Sequence, residues 1–326
     1  MMTNIAKFTL KTLRKANKKV WNIVPKKVDS EQDADLAAQL ILDALESPEP
    51  CMIARFGGFE LSTLVNYLGV TNEHKSILNY IKGKEPDWWW NQSLIQYMHT
   101  NAGFFPPTVG KIEQFCELML KDMLQVDILG SWLPEETYIE EKLKAHKVHL
   151  RLLEPFWSKN PWTKALKGKK ILVLHPFNTT IESQYQKRLL LFEKEILPEF
   201  KLSTLQAVQS IGSTDSRFSD WFEALEYMKN KIDQIDYDIC LIGAGAYGFP
   251  LAAHVKRSGK KAIHLGGSLQ LLFGIRGKRW EDPNYGVQEW GIAPGSYSKL
   301  SNEHWVRPGE NEKPKNANAV EGACYW

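Results

Sequence analysis

The chain has 326 residues, 43% of them hydrophobic and 24% charged, with a net charge of +3. That composition supports a full buried core and argues against a general nucleic-acid binder. No apolar run reaches the ~18 residues of a membrane span, and the start lacks the apolar stretch and cleavage site of a secretory signal. Cys51, Cys116, Cys240 and Cys324 lie far apart with no CxxC pair, so they read as buried free thiols of a cytoplasmic protein with no zinc spacing.

Residues 1–27 carry eight basic side chains and no acid, whereas the rest of the chain holds 33 basic and 38 acidic groups, a net of −5. Ile5, Phe8, Leu13, Val20 and Trp21 give this arm a ragged apolar face. A basic, partly amphipathic helix of this kind suits the anionic inner face of a membrane.

From residue 31 helix and strand signals alternate. Residues 31–46 predict a helix and 51–56 (CMIARF) a buried strand ending at Gly57-Gly58. Helices are expected near 59–68, 87–100 and 111–124, then strands at 126–131 and 148–155 separated by an acidic helix around 135–145. The run 169–177 (KKILVLHPF) is a strand, followed by a helix whose stripe is Ile181, Tyr185, Leu189 and Phe192. Strands at 202–208, 237–245 and 261–267 enclose helices around 218–232 and 246–258. Apolar strands in β-α-β order predict a Rossmann-like α/β fold, a mostly parallel sheet with helices on both faces. The expected organisation is a basic arm (1–28), an α/β domain (29–280) and a C-terminal extension (281–326) that wraps the domain on aromatic anchors.

In open parallel sheets ligands bind outside the carboxyl ends of the strands. The candidates there are Arg55 to Glu60, Asp127 to Trp132, Glu154 to Trp157, His175 to Thr180, Gly243 to Tyr247 and His264 to Gly267. Gly243, Gly245 and Tyr247 follow a strand and open a helix, where backbone N–H groups favour a phosphate. The pattern matches GxGxxG, but the acid expected about 20 residues on is missing, which disfavours a dinucleotide oxidoreductase. His175 with Asn178 and Thr179 offers a second strand-to-helix turn, suited to capping the helix or holding a diphosphate. His264, Gly266 and Gly267 form a third. Arg55 pairs with Glu60 or with a phosphate across Gly57 and Gly58. Lys278 and Arg279, beside Trp280, present cations after the last strand. No P-loop or nucleophile elbow is present.

Arg55-Phe-Gly-Gly-Phe-Glu60 resembles the RFGDGE segment of bacterial glycosyltransferases with the GT-D fold. LIGAGAYGFPLAAHVKRSGKKAIHLGG (241–267) resembles their closing strand, glycine turn, helix and strand. The chain is also similar to GT-D-like proteins of polysaccharide gene clusters through NAGFFP (101–106), LEPFW (153–157), LKGKKILVLHPF (166–177) and LLFGIRGKRW (271–280). The resemblance implies transfer of a sugar from a nucleotide-sugar donor, a UDP-sugar as first expectation, to a saccharide or lipid-linked saccharide in surface polysaccharide synthesis. It also implies a D-x-E motif that binds a divalent cation, Mn or Mg, with the donor diphosphate. Here Glu60 matches the Glu, and Gly58 stands where the Asp belongs. Glu60 is then the one expected metal ligand, and Arg55, Lys278 and Arg279 are candidates to take the cation's place. A general base is needed for an inverting reaction; Glu60, Asp127 and Glu154 are the candidates. The alternative is a non-catalytic nucleotide-sugar or saccharide-binding protein with a degenerate motif.

Overall fold

A computed structural model describes residues 3–21, 28–210, 217–313, 317 and 322–326. Seven strands form one sheet: β1 (Cys51–Ala54), β2 (Ile128–Ser131), β3 (His146–His149), β4 (Lys170–His175), β5 (Lys201–Gln206), β6 (Ile239–Ile242) and β7 (Lys261–His264). Their order is β3-β2-β1-β7-β6-β4-β5, and every pairing is parallel. The central strands are buried on both faces, which is why they read as unbroken apolar runs. Their side chains alternate between two cores. Met52, Ala54, Leu172, Leu174, Cys240 and Ile242 enter one, while Ile53, Ile171, Val173, Ile239, Leu241 and Ile263 enter the other, as the two-residue period of a strand requires.

Helices cover both faces. The first core takes the apolar stripes of α3 (Gly58–Thr71), α5 (Gln92–Thr100), α6 (Val109–Asp122), α8 (Trp221–Asp233) and α9 (Gly248–Arg257). The second takes α2 (Ala34–Glu46), α7 (Asn178–Tyr185) and aromatic residues beyond 280, including Tyr297, Trp305 and Trp326. The N-terminal helix α1 (Asn4–Val20) docks against the short helix α4 (Ile77–Ile81) and its flanks. Arg14 donates to the Glu85 carbonyl at 3.1 Å and the Tyr138 hydroxyl at 3.2 Å, and Asn17 donates to the Ile81 carbonyl. No helix among the described residues is long and apolar enough to cross a membrane. All four cysteines are buried, and Cys51, Cys116 and Cys240 are free thiols.

The structure corrects four elements. The third strand is His146–His149, ahead of the apolar run expected to form it; residues 150–153 turn into a 3-10 helix that packs on α2. The acidic stretch 135–145 forms two 3-10 turns instead of a helix. There the Glu136 carboxylate accepts from the backbone N–H of Trp132 and Leu133 and from the Ser131 hydroxyl, which closes the chain into a tight turn behind Pro134. Trp88, Trp89 and Trp90 lie outside α5. Finally, α7 ends at Tyr185, so the expected stripe breaks and Leu189 is exposed.

Candidate functional site

The loops after β1, β4, β6 and β7 surround a cleft of about 480 Å³ at the carboxyl end of the sheet. Arg55, Gly57, Gly58, Glu60, His175, Gly243, Gly245, Tyr247, His264, Gly266, Gly267 and Arg279 all line it. A topology in which β1 and β7 are neighbours brings together segments more than 200 residues apart.

Glu60 stands in the first turn of α3, whose N-terminus is capped by no side chain. Its carboxylate folds back over Gly57: a Cβ added there would lie 1.9 Å from Oε2. Position 57 must therefore lack a side chain for the carboxylate to sit where it does. Burial pushes the Glu60 carboxyl above the usual range, against the pull of Arg55 and of its own N–H. Arg55, the first residue after β1, has its guanidinium 5.3 Å from the Trp132 ring centre. Among the described residues no hydrogen bond or ion pair holds that guanidinium. Burial lowers its pKa, and Glu60 opposes the shift. Arg55 is a cation lining the cleft, resting on the Trp132 ring with no hydrogen-bond or ion-pair partner among the described residues, the arrangement an anionic ligand completes.

Two histidines join it. His175, 3% exposed, accepts from the Phe177 N–H through Nδ1 at 3.0 Å, which puts its proton on Nε2. His264, also 3% exposed, has Nδ1 3.3 Å from the Ile242 carbonyl; that nitrogen therefore carries the proton and Nε2 is an acceptor. Burial holds both at about 3, with Arg55 adding to the effect on His264. The cleft thus has one neutral imidazole donor and one neutral imidazole acceptor in addition to its cations. Glu60 is the one carboxylate lining it among the described residues, and no group of three His, Cys, Asp or Glu among them is placed to hold an ion.

Other expected site residues lie elsewhere. Asp127 precedes β2 and so sits at the amino edge of the sheet, where it accepts from the Met52 N–H and pairs with Lys256 at 2.8 Å. The strand starts one residue after it, which puts it at the wrong end for the cleft. Glu154 is buried outside the cleft lining, accepting from Trp157 Nε1 at 2.9 Å and Tyr297 Oη at 2.8 Å. Asn178 and Thr179 open α7 but do not line the cleft; the N–H groups of Thr179 and Thr180 already donate to Glu312. A carboxylate from the C-terminal segment fills the role expected of a capping side chain or a bound diphosphate. Lys278 is exposed and outside the lining, unlike its neighbour Arg279.

Sequence reasoning assigned no ligand role to Gln270, Ser210, Tyr325 or Trp326, which also line the cleft. Gln270 had a signal: a lone amide within the apolar run 269–273. Its Nε2 donates to the carbonyls of Ile275, Arg276 and Tyr325 and ties the C-terminal segment to the cleft wall.

No protein-family model matches the chain, nor does any curated protein. Two solved structures are similar to it. One is described as the highly conserved domain of unknown function 1792, with a distinct glycosyltransferase fold; it is 11% identical, with 94% of this chain and 96% of that chain covered and a TM-score of 0.37. The other is a selenomethionine-substituted structure of domain of unknown function 1792, at 12% identity, the same coverage and a TM-score of 0.36. Likeness at that level carries no residue-by-residue correspondence.

Proposed function

We propose that the cleft binds a nucleotide-sugar by its diphosphate and transfers the sugar to a saccharide hydroxyl in polysaccharide synthesis. The observation that carries this reading is Arg55, held by no hydrogen bond or ion pair, in one cleft with a half-buried Glu60 at the carboxyl ends of parallel strands. Arg55 and Arg279 supply positive charge to the leaving diphosphate, where charge develops in the transition state. The Nε2–H of His175 adds a neutral donor. The bond from the anomeric carbon to the phosphate oxygen breaks, a bond to the acceptor oxygen forms, and Glu60 takes the acceptor proton. A raised carboxyl pKa suits that role, because it strengthens the base near neutral pH.

The donor set does not fit a divalent cation. Such an ion is held by several oxygens, usually from more than one protein group together with water and substrate phosphate; among the described residues the cleft lining offers Glu60 alone, with Arg55 and Arg279 as competing cations. No step is therefore routed through a metal.

The reading extends to α1. Its docked side spends Arg14 and Asn17 on the domain, while Ile5 (80% exposed), Phe8, Val20 and Trp21 face outward with Lys15, Lys18 and Lys19. That outer surface suits peripheral contact with an anionic membrane carrying a lipid-linked acceptor. Lys26 and Lys27, also counted in the basic arm, lie outside the described residues.

A thermal-shift panel of UDP-, GDP-, CMP- and dTDP-sugars, run with Mn²⁺ and with EDTA, tests the central reading. One nucleotide class stabilises the protein, by about 2.7 kcal/mol at a hundredfold excess over its dissociation constant, and the shift persists in EDTA. A shift seen only with metal contradicts the arginine-based site, and no shift with any donor contradicts the transferase.

A further inference from the structure

We propose that the segment Cys324–Trp326 is a clasp of the ligand site, with Tyr325 positioning Arg279 for a diphosphate. The inference rests on the transferase reading for the identity of the ligand and on geometry for the clasp.

Tyr325 and Trp326 line the cleft although they lie about 60 residues beyond the last strand. The Tyr325 ring rests on Gly267, where an added Cβ would fall 2.2 Å from Cε1. Its carbonyl accepts from Gln270 Nε2 at 3.1 Å. The Arg279 guanidinium stacks on the same ring at 4.8 Å, and Nη1 donates to the Tyr325 hydroxyl at 3.3 Å. Arg279 Nη2 meets Cys324 Sγ at 3.2 Å, and its backbone N–H donates to the Cys324 carbonyl at 3.0 Å. Trp326 packs edge-on against Phe177, whose other neighbour is the cleft histidine His175.

One short segment therefore touches the loops after β4 and β7 and fixes the direction of a cleft cation. A guanidinium on a long side chain loses rotamer freedom when it binds an anion; a ring and a hydroxyl that hold it beforehand reduce that cost. Tyr325 acts here through Arg279 and is a positioning residue.

The test uses inorganic pyrophosphate as probe, titrated calorimetrically into the full chain. Tyr325→Ala and, independently, Gly267→Ala, whose Cβ displaces the ring, are expected to weaken binding about tenfold or more, the scale of a lost cation–π contact to a largely desolvated guanidinium. Tyr325→Phe keeps the ring on the guanidinium and retains most of the affinity. Arg279→Gln weakens binding by itself, and adding Tyr325→Ala to it causes little further loss, because the two act as one unit. Losses that add fully, or wild-type affinity in both Tyr325→Ala and Gly267→Ala, overturn the clasp and leave the transferase reading intact. Failure of the wild-type protein to bind pyrophosphate overturns the anion site and the clasp with it. Circular dichroism of each variant separates loss of binding from loss of fold, and Tyr325→Phe against Arg279→Gln still decides if an alanine variant does not fold.

Discussion

At the scale of single residues, the cleft is defined by how protein surroundings alter ordinary groups. Glu60 has a raised pKa, so the folded state resists its ionisation, and the charged carboxylate costs stability as pH rises through that pKa. Glu60→Gln removes this cost and also the base. The variant is expected to lose transfer activity about 10²–10⁴-fold with no fall in Tm; wild-type turnover in Glu60→Gln would assign the proton to another group. The histidines act in the opposite sense. Because the folded state holds His175 and His264 at about 3, only the unfolded chain takes up their protons as pH drops below 6.5, and stability falls. Glu154, pushed up to about 7 by burial despite its bonds to Tyr297 and Trp157, offsets part of that, since the folded state binds its proton first between pH 7 and 4.5. Comparing His264→Gln with wild type cancels the Glu154 contribution. Denaturant unfolding at pH 7 and pH 5 is expected to show wild type losing about 2 kcal/mol more than the variant. Equal losses would mean that His264 is not held neutral.

At the scale of elements, legibility followed burial. β1, β4, β6 and β7 were readable because strands covered on both faces have little choice but apolar side chains. Edge strand β3 was misplaced because three of its four residues, His146, Lys147 and His149, are polar, while the apolar run just after it packs as a 3-10 turn. The glycine loops were legible as candidate ligand turns, since a short sequence contains the strand end and the helix start together. The capping of α7 by Glu312 was not, because a carboxylate 132 residues away supplies a cap for which the local sequence has its own candidates. α1 was legible as a basic helix, and its docking by Arg14 and Asn17 was not. For its outer face we expect co-sedimentation with phosphatidylglycerol vesicles and little with phosphatidylcholine alone. Lys15→Glu with Lys19→Glu is expected to weaken that binding by at least about tenfold, given roughly 1 kcal/mol per surface charge. Equal binding to both vesicle types would remove α1 from the membrane.

At the scale of the whole molecule, what the sequence could not display is convergence. Arg55, His175, His264 and Arg279 were each visible as polar residues near strand ends, yet nothing local says that they face one cleft. Sheet order does that, while the start of β2 one residue after Asp127 sets that carboxylate at the amino edge, away from the cleft. The aromatic residues after 280 read as anchors for a wrap; only the return of the chain to Gly267 makes two of them cleft wall. In the proposed site, arginine charge in place of a metal holds a donor diphosphate beside Glu60. The most direct measurement is a calorimetric titration in EDTA of wild type and Arg55→Gln with the nucleotide-sugar that gives the largest thermal shift. Wild type is expected to bind tightly and Arg55→Gln about tenfold or more weakly, the worth of a charge-assisted contact. Binding that requires added Mn²⁺, or that is unchanged in Arg55→Gln, would contradict it.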